Sequence, residues 1–116
     1  MKEIRRSSNS VTFEYKNANV LVDYTIRKIY VSPKRLNPLI KREATAIGLG
    51  YVISREANNE FPDFEYAMEI AAGLLFTPAL GDVTRWSVPD LAKTAEVTEE
   101  FAGYGIGLAA KRKNAK

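Results

Sequence analysis

The sequence predicts an α+β fold, an N-terminal antiparallel β-hairpin or small sheet packed against about three to four helices, and three observations carry that prediction. Over residues 11 to 31, apolar and polar residues alternate in β-branched and aromatic company, the pattern of half-buried strands. From residue 38 onward, apolar residues recur at three- and four-residue spacing between proline, asparagine and aspartate, the pattern of capped amphipathic helices. The chain has 116 residues, 46% apolar and 27% charged, the size and balance of one domain with a single core.

Residues 1 to 10 carry Lys2, Arg5 and Arg6 with no apolar run behind them and are expected to be a basic, flexible N-terminus. The domain itself is expected over 11 to 110. VTFEY at 11 to 15 reads as the first strand and VLVDYTIRKIYV at 20 to 31 as the second, long enough to bend or bulge midway. Lys16-Asn17-Ala18-Asn19 supplies a turn in which asparagine tolerates left-handed backbone. Ser32 and Pro33 then stop the sheet.

Asn37 and Pro38 suit the cap and first turn of a helix reaching to about residue 57, with Ile40, Ala44, Ile47 and Tyr51 on one stripe. Asn58 and Asn59 end it. Pro62-Asp63 opens a second helix in which Phe64, Ala67, Met68, Ala71, Leu74 and Leu75 repeat at helical spacing, closed by Pro78 and Gly81. Ser87-Val88-Pro89-Asp90 resembles a capping box leading into LAKTA, and Thr98-Glu99-Glu100 caps a last helix. Residues 111 to 116 are expected to be a second basic, flexible end.

Composition narrows the chemistry. Cysteine and histidine are both absent, which removes thiolate nucleophiles, imidazole bases and most transition-metal sites. Oxygen chemistry remains, so any metal is a hard cation held by carboxylates. No run approaches the ~18 apolar residues of a membrane span, so a soluble cytoplasmic protein without membrane contact is expected. The net charge is +3, but the excess sits at the ends. Residues 1 to 8 and 111 to 116 hold seven basic side chains against one acid. Lys111, Arg112 and Lys113 are thus the candidate nucleic-acid contacts.

Ala46-Ile47-Gly48-Leu49-Gly50-Tyr51 follows a strand, then comes Tyr66-Ala67-Met68-Glu69-Ile70-Ala71-Ala72-Gly73-Leu74-Leu75 with Pro78, then Leu91-Ala92 and Val97-Thr98. This ordered syntax, over roughly residues 20 to 110, resembles the ImmA/IrrE family of zinc peptidases. That family carries A-H-E-L-G-H on one helix, E-A-N-x-F-A-A-x-L-L-x-P on the next, and L-A-x-x-x-x-V-S after it. The resemblance places Ile47, Tyr51 and Tyr66 at the zinc-ligand positions and Gly48 at that of the general base. None is a competent ligand or base: Ile and Gly offer no lone pair on a side chain, and a neutral phenol is a poor one. The matched residues Ala46, Leu49, Gly50, Ala67, Leu74 and Leu75 are packing residues. The resemblance therefore implies a peptidase-like scaffold without zinc or other cofactor and without catalysis, of a kind that phages and mobile elements encode. It acts in that case by protein contact, with a helix-turn-helix repressor as the family's natural partner.

If the zinc cleft persists as a groove, Ile47, Gly48, Tyr51 and Tyr66 make it apolar and aromatic, with Glu43 and Glu69 beside it and Trp86 at its rim. Tyrosine and tryptophan anchor protein interfaces because they bury large area at low entropic cost. Two other readings stand beside this one. Glu43 and Glu69, if they face each other, form a carboxylate site for Mg²⁺ or for acid–base work. Asp90 to Ala102 is similar to a helix-turn-helix with Glu99 to Ala110 as its second helix, which with the basic ends points to a small DNA-associated protein. Its second helix starts with Glu99, Glu100 and Phe101, which repel phosphate or cannot read a base. Gly103-Tyr104-Gly105-Ile106-Gly107 costs that helix ~1 kcal/mol per glycine, so it marks a hinge or a site of close helix approach.

Overall fold

The structure is a computed structural model that describes residues 2–58 and 63–114. Among the described residues, four strands form one antiparallel sheet in sequence order: β1 (Lys2–Arg6), β2 (Ser10–Tyr15), β3 (Ala18–Asp23) and β4 (Lys28–Ser32). Four α-helices follow: α1 (Pro38–Asn58), α2 (Phe64–Leu75), α3 (Val88–Ala95) and α4 (Glu99–Asn114). Short 3-10 turns at Pro78–Leu80 and Val83–Arg85 connect α2 to α3. The observed class is the α+β class read from the sequence. None of the described helices is long and apolar enough to cross a membrane.

The sheet is larger than a hairpin. The long second strand breaks into β3 and β4 at residues 24 to 27, where Asp23 Oδ1 accepts from the Thr25 amide (2.9 Å) and hydroxyl (2.5 Å) and Arg27 takes a φ of 54°. An aspartate bonding two residues ahead offers the backbone a turn in place of the ladder. The first turn is tighter than expected. Lys16 and Asn17 alone form it, with φ of 46° and 68°, the two-residue turn whose twist matches that of the strands. Ala18 and Asn19 already belong to β3.

Both ends of the chain are more ordered than expected. Residues 2 to 6 pair with β2 as an edge strand whose register shifts between Glu3 and Arg5. The shift lines up Glu3 with Phe13 and Arg6 with Val11, both on the buried side. There Glu3 and Arg6 pair with each other, and Tyr51 Oη donates to Glu3 Oε1 at 2.9 Å. At the other end α4 continues through Lys111, Arg112 and Lys113 to Asn114. Lys113 Nζ reaches Asp82 Oδ2 at 2.5 Å, and cations suit the carbonyl end of a helix. Residues 115 and 116 lie outside the described residues, as do Asn59 and Pro62, expected at the α1–α2 boundary.

Polar side chains cap the helices where the sequence places them. Asn37 accepts from the Leu39 amide (2.8 Å), Asp63 from Tyr66 (2.8 Å), Ser87 from Asp90 (3.3 Å) and Thr98 from Phe101 (3.2 Å). Each such cap is worth ~1 kcal/mol. The core lies between sheet and helices. Val11, Phe13 and Tyr15 of β2 and Ala18, Val20 and Val22 of β3 are fully buried, as are Ala44, Ile47 and Tyr51 of α1. Phe13 stacks on Tyr51 with ring centroids 5.3 Å apart. On another face of α1, Gly50 lets α2 come close: a Cβ there would sit 2.3 Å from the Ala67 carbonyl oxygen.

Candidate functional site

Of the residues singled out from the sequence, Glu43, Ile47, Gly48 and Tyr51 lie in the core, Tyr66, Glu69, Lys111 and Arg112 line one open cleft, and Trp86 and Lys113 lie outside that cleft. Ile47 and Tyr51 have no exposed surface and face the sheet. Gly48 is buried too, because a Cβ there would lie 2.8 Å from Ile29 Cγ2 of β4. Burial and the hydrogen bond to Glu3 hold the Tyr51 phenol well above its ordinary pKa, so it stays a donor. Tyr66, the third family position, is 47% exposed and shares no cavity with the other two among the described residues.

Glu43 is fully buried and spent on structure. Its oxygens accept from Tyr15 Oη (2.5 Å), the Thr98 amide (2.6 Å) and Thr98 Oγ1 (3.2 Å), with Lys16 Nζ at 3.6 Å. One carboxylate thus ties the first turn and β2 to α1 and to the start of α4. Desolvation, the hydrogen bond to Glu43 and the negative charges nearby hold the Tyr15 phenol far above its usual range. Glu69 lies elsewhere, with Arg112 at 3.4 Å, so the two carboxylates do not share a site. Among the described residues, no three Asp or Glu side chains are grouped as metal ligands.

What the structure does bring together is Tyr66 and Glu69 of α2 with Lys111 and Arg112 of α4. They line an open cleft of about 750 Å³ between the two helices. Tyr104 and Leu108 complete its wall, and Gly103 and Gly107 leave its α4 side bare, since a Cβ on either would meet no atom within 4 Å. Asp63 and Glu65 stand at the end where α2 begins, Lys111 and Arg112 at the end where α4 finishes. A second hollow of about 640 Å³, lined by Glu3, Phe64 and Met68, shares Tyr104 with it. The Tyr104 hydroxyl is shielded from solvent without a hydrogen-bond partner among the described residues. Burial, and then the charges of Glu69 and Glu65, raise its pKa.

Trp86 does not line this cleft. Its ring packs against the core from the loop before α3, and Nε1 donates to the Leu80 carbonyl at 3.0 Å. Lys113 is bound to Asp82 and to Thr84 Oγ1, and that contact depresses the Asp82 carboxyl far below its usual range. Asp63, Glu65, Gly103, Tyr104, Gly107 and Leu108 are cleft residues that the sequence did not mark as a site. The signal for those on α4 is the alternating glycine run. Gly105 alone packs tightly, its would-be Cβ 2.2 Å from Phe76 Cε2, while its two neighbours face open space. No protein family, curated protein or solved structure matches the chain.

Proposed function

We propose that this chain is a non-catalytic protein-binding module that takes a segment of a partner protein in the cleft between α2 and α4. The observation that carries the reading is the pairing of two tyrosines, Tyr66 and Tyr104, with a glycine-bared helix face in an open 750 Å³ cleft. A helix that spends two glycines on bare surface forgoes ~1 kcal/mol at each, which is intelligible where a partner backbone needs close approach. Acidic and basic side chains both line the cleft, Asp63, Glu65 and Glu69 with Lys111 and Arg112, and offer a bound segment charged partners of either sign. Glu43, the strongest carboxylate candidate for chemistry, has its oxygens occupied by structural donors.

The resemblance to the ImmA/IrrE zinc peptidases supports only the non-catalytic part of this reading, through the side chains at the ligand positions, which offer no competent metal ligand. The α2–α4 cleft is not the groove that the resemblance implies, because Ile47 and Tyr51 lie under the sheet and Tyr66 alone reaches the cleft. The proposal extends to a cytoplasmic regulatory module of the phage or mobile-element kind. The DNA-associated reading is the weaker one. The α3–α4 hairpin offers Glu99 and Glu100 at its second helix and buries Phe101, and Lys113 is engaged by Asp82.

A random peptide library selected on the wild-type chain tests the proposal. Recovered peptides should lose ~2 kcal/mol or more of affinity on Tyr66→Ala and at least as much on Gly107→Leu, which fills the cleft from an unobstructed position. The melting temperature should be unchanged in Tyr66→Ala and not lowered in Gly107→Leu, so that neither loss reflects unfolding. Peptides that bind wild type and both variants alike, or a selection that enriches nothing, would refute it.

A further inference from the structure

One run of basic charge in this protein lies away from the cleft. Between residues 27 and 42 there are six basic side chains, Arg27, Lys28, Lys34, Arg35, Lys41 and Arg42, and no acid, whereas the rest of the chain holds eleven basic against fourteen acidic residues. All six are exposed. Only Arg27 has an acid partner among the described residues, Glu56 at 3.1 Å. Lysine on an edge strand guards against stray pairing, which accounts for Lys28 on β4. It does not account for Lys34, Arg35 and Lys41, which lie beyond the strand.

Some of these cations lie on or next to a strand that carries an exposed aromatic ring. Lys28, Tyr30 and Ser32 alternate onto the side of β4 that faces away from the helices. Tyr30 is 49% exposed and lies opposite Leu21, itself 39% exposed, at the end of the cross-strand row Arg5, Thr12, Leu21, Tyr30. The loop carrying Lys34 and Arg35 continues directly from β4.

We propose that this surface binds single-stranded nucleic acid, with phosphates along Lys28, Lys34 and Arg35 and a base stacked on Tyr30. Charge complementarity selects a polyanion, and the exposed ring beside it selects one whose bases are free to stack, the combination that recognises single strands. A duplex hides its base faces and leaves Tyr30 unused. None of these residues lines the α2–α4 cleft, so the inference stands apart from the peptide-binding proposal.

Fluorescence anisotropy of a labelled oligothymidylate, titrated with the full chain at several salt concentrations, tests it. The double variant Lys34→Glu/Arg35→Glu should weaken binding at least about 10-fold and flatten the slope of log K against log salt by about 1.4, at about 0.7 per phosphate contact. Arg85→Glu/Lys93→Glu, two exposed sites elsewhere, makes the same change in net charge and should weaken binding less than about threefold. Tyr30→Ala should weaken it about 10-fold with the slope unchanged. Equal losses in the two charge-reversed variants would overturn the proposal. So would tighter binding to a duplex or to anionic lipid vesicles than to the single strand, or no binding by the wild type at low salt.

Discussion

Glu43 shows how one residue closes the fold. A carboxylate with no exposed surface is unfavourable unless donors surround it, and here Tyr15, Thr98 and Lys16 supply them from three different segments. Glu43→Leu should therefore destabilise the protein by ~3–5 kcal/mol, the usual cost of removing one partner from a buried charged network. Urea denaturation measures it, and a loss below ~1 kcal/mol would show that the donors find water instead. The tyrosines give a pH dependence of definite sign. Tyr15 and Tyr51 have folded pKa values raised by burial and by acceptor carboxylates, so the folded state holds protons that the unfolded chain releases near its ordinary value of ~10. Their contribution is complete below pH ~10 and declines above it, by at most ~1.4 kcal/mol per pH unit for each phenol. Alkaline denaturation curves of Tyr15→Phe and Tyr51→Phe should each fall less steeply than wild type above pH ~10.

At the scale of elements, the helices were more legible than the sheet, for physical reasons that particular residues display. The starts of α1, α2, α3 and α4 are set by side chains that bond locally, at Asn37, Asp63, Ser87 and Thr98, and local bonding is visible in sequence. β1 is fixed instead by a non-local partner. Its inward groups are Glu3 and Arg6, held by each other and by Tyr51, so no hydrophobic alternation announces it. The break between β3 and β4 rests on Asp23 and Thr25, a turn signal inside an otherwise continuous apolar pattern. α4 carries the sharpest element-level prediction. Gly103→Ala and Gly107→Ala should each stabilise the free protein by ~0.5–1 kcal/mol, because the helix gains and nothing obstructs the new methyl. Gly105→Ala should destabilise it, because its Cβ would stand 2.2 Å from the Phe76 ring. Thermal unfolding of the three variants distinguishes them, and equal effects would refute this division of the helix face.

Across the whole molecule, sequence reasoning found the members of a site more readily than their arrangement. The motif groups Tyr66 with Ile47, Gly48 and Tyr51, the carboxylates pair Glu69 with Glu43, and Lys111 and Arg112 stand out as basic. The cleft joins Tyr66 and Glu69 to Lys111 and Arg112, while Ile47, Gly48 and Tyr51 sit under the sheet. Which face of α1 meets the sheet is set by Gly48 beneath Ile29 and by Gly50 against Ala67, contacts that no single segment reveals. Charge is distributed on the same scale, with basic residues alone from Arg27 to Arg42 and both signs at the cleft, where Asp63, Glu65 and Glu69 stand with Lys111 and Arg112. The proposed peptide site and the proposed phosphate-chain site therefore differ in chemistry. The most direct test of the peptide-binding claim is an amide chemical-shift titration of the labelled chain with a peptide selected on it. The account predicts shifts confined to residues 63 to 69 and 103 to 112, and absent in Gly107→Leu. Shifts centred on the sheet, or persisting in that variant, would contradict it.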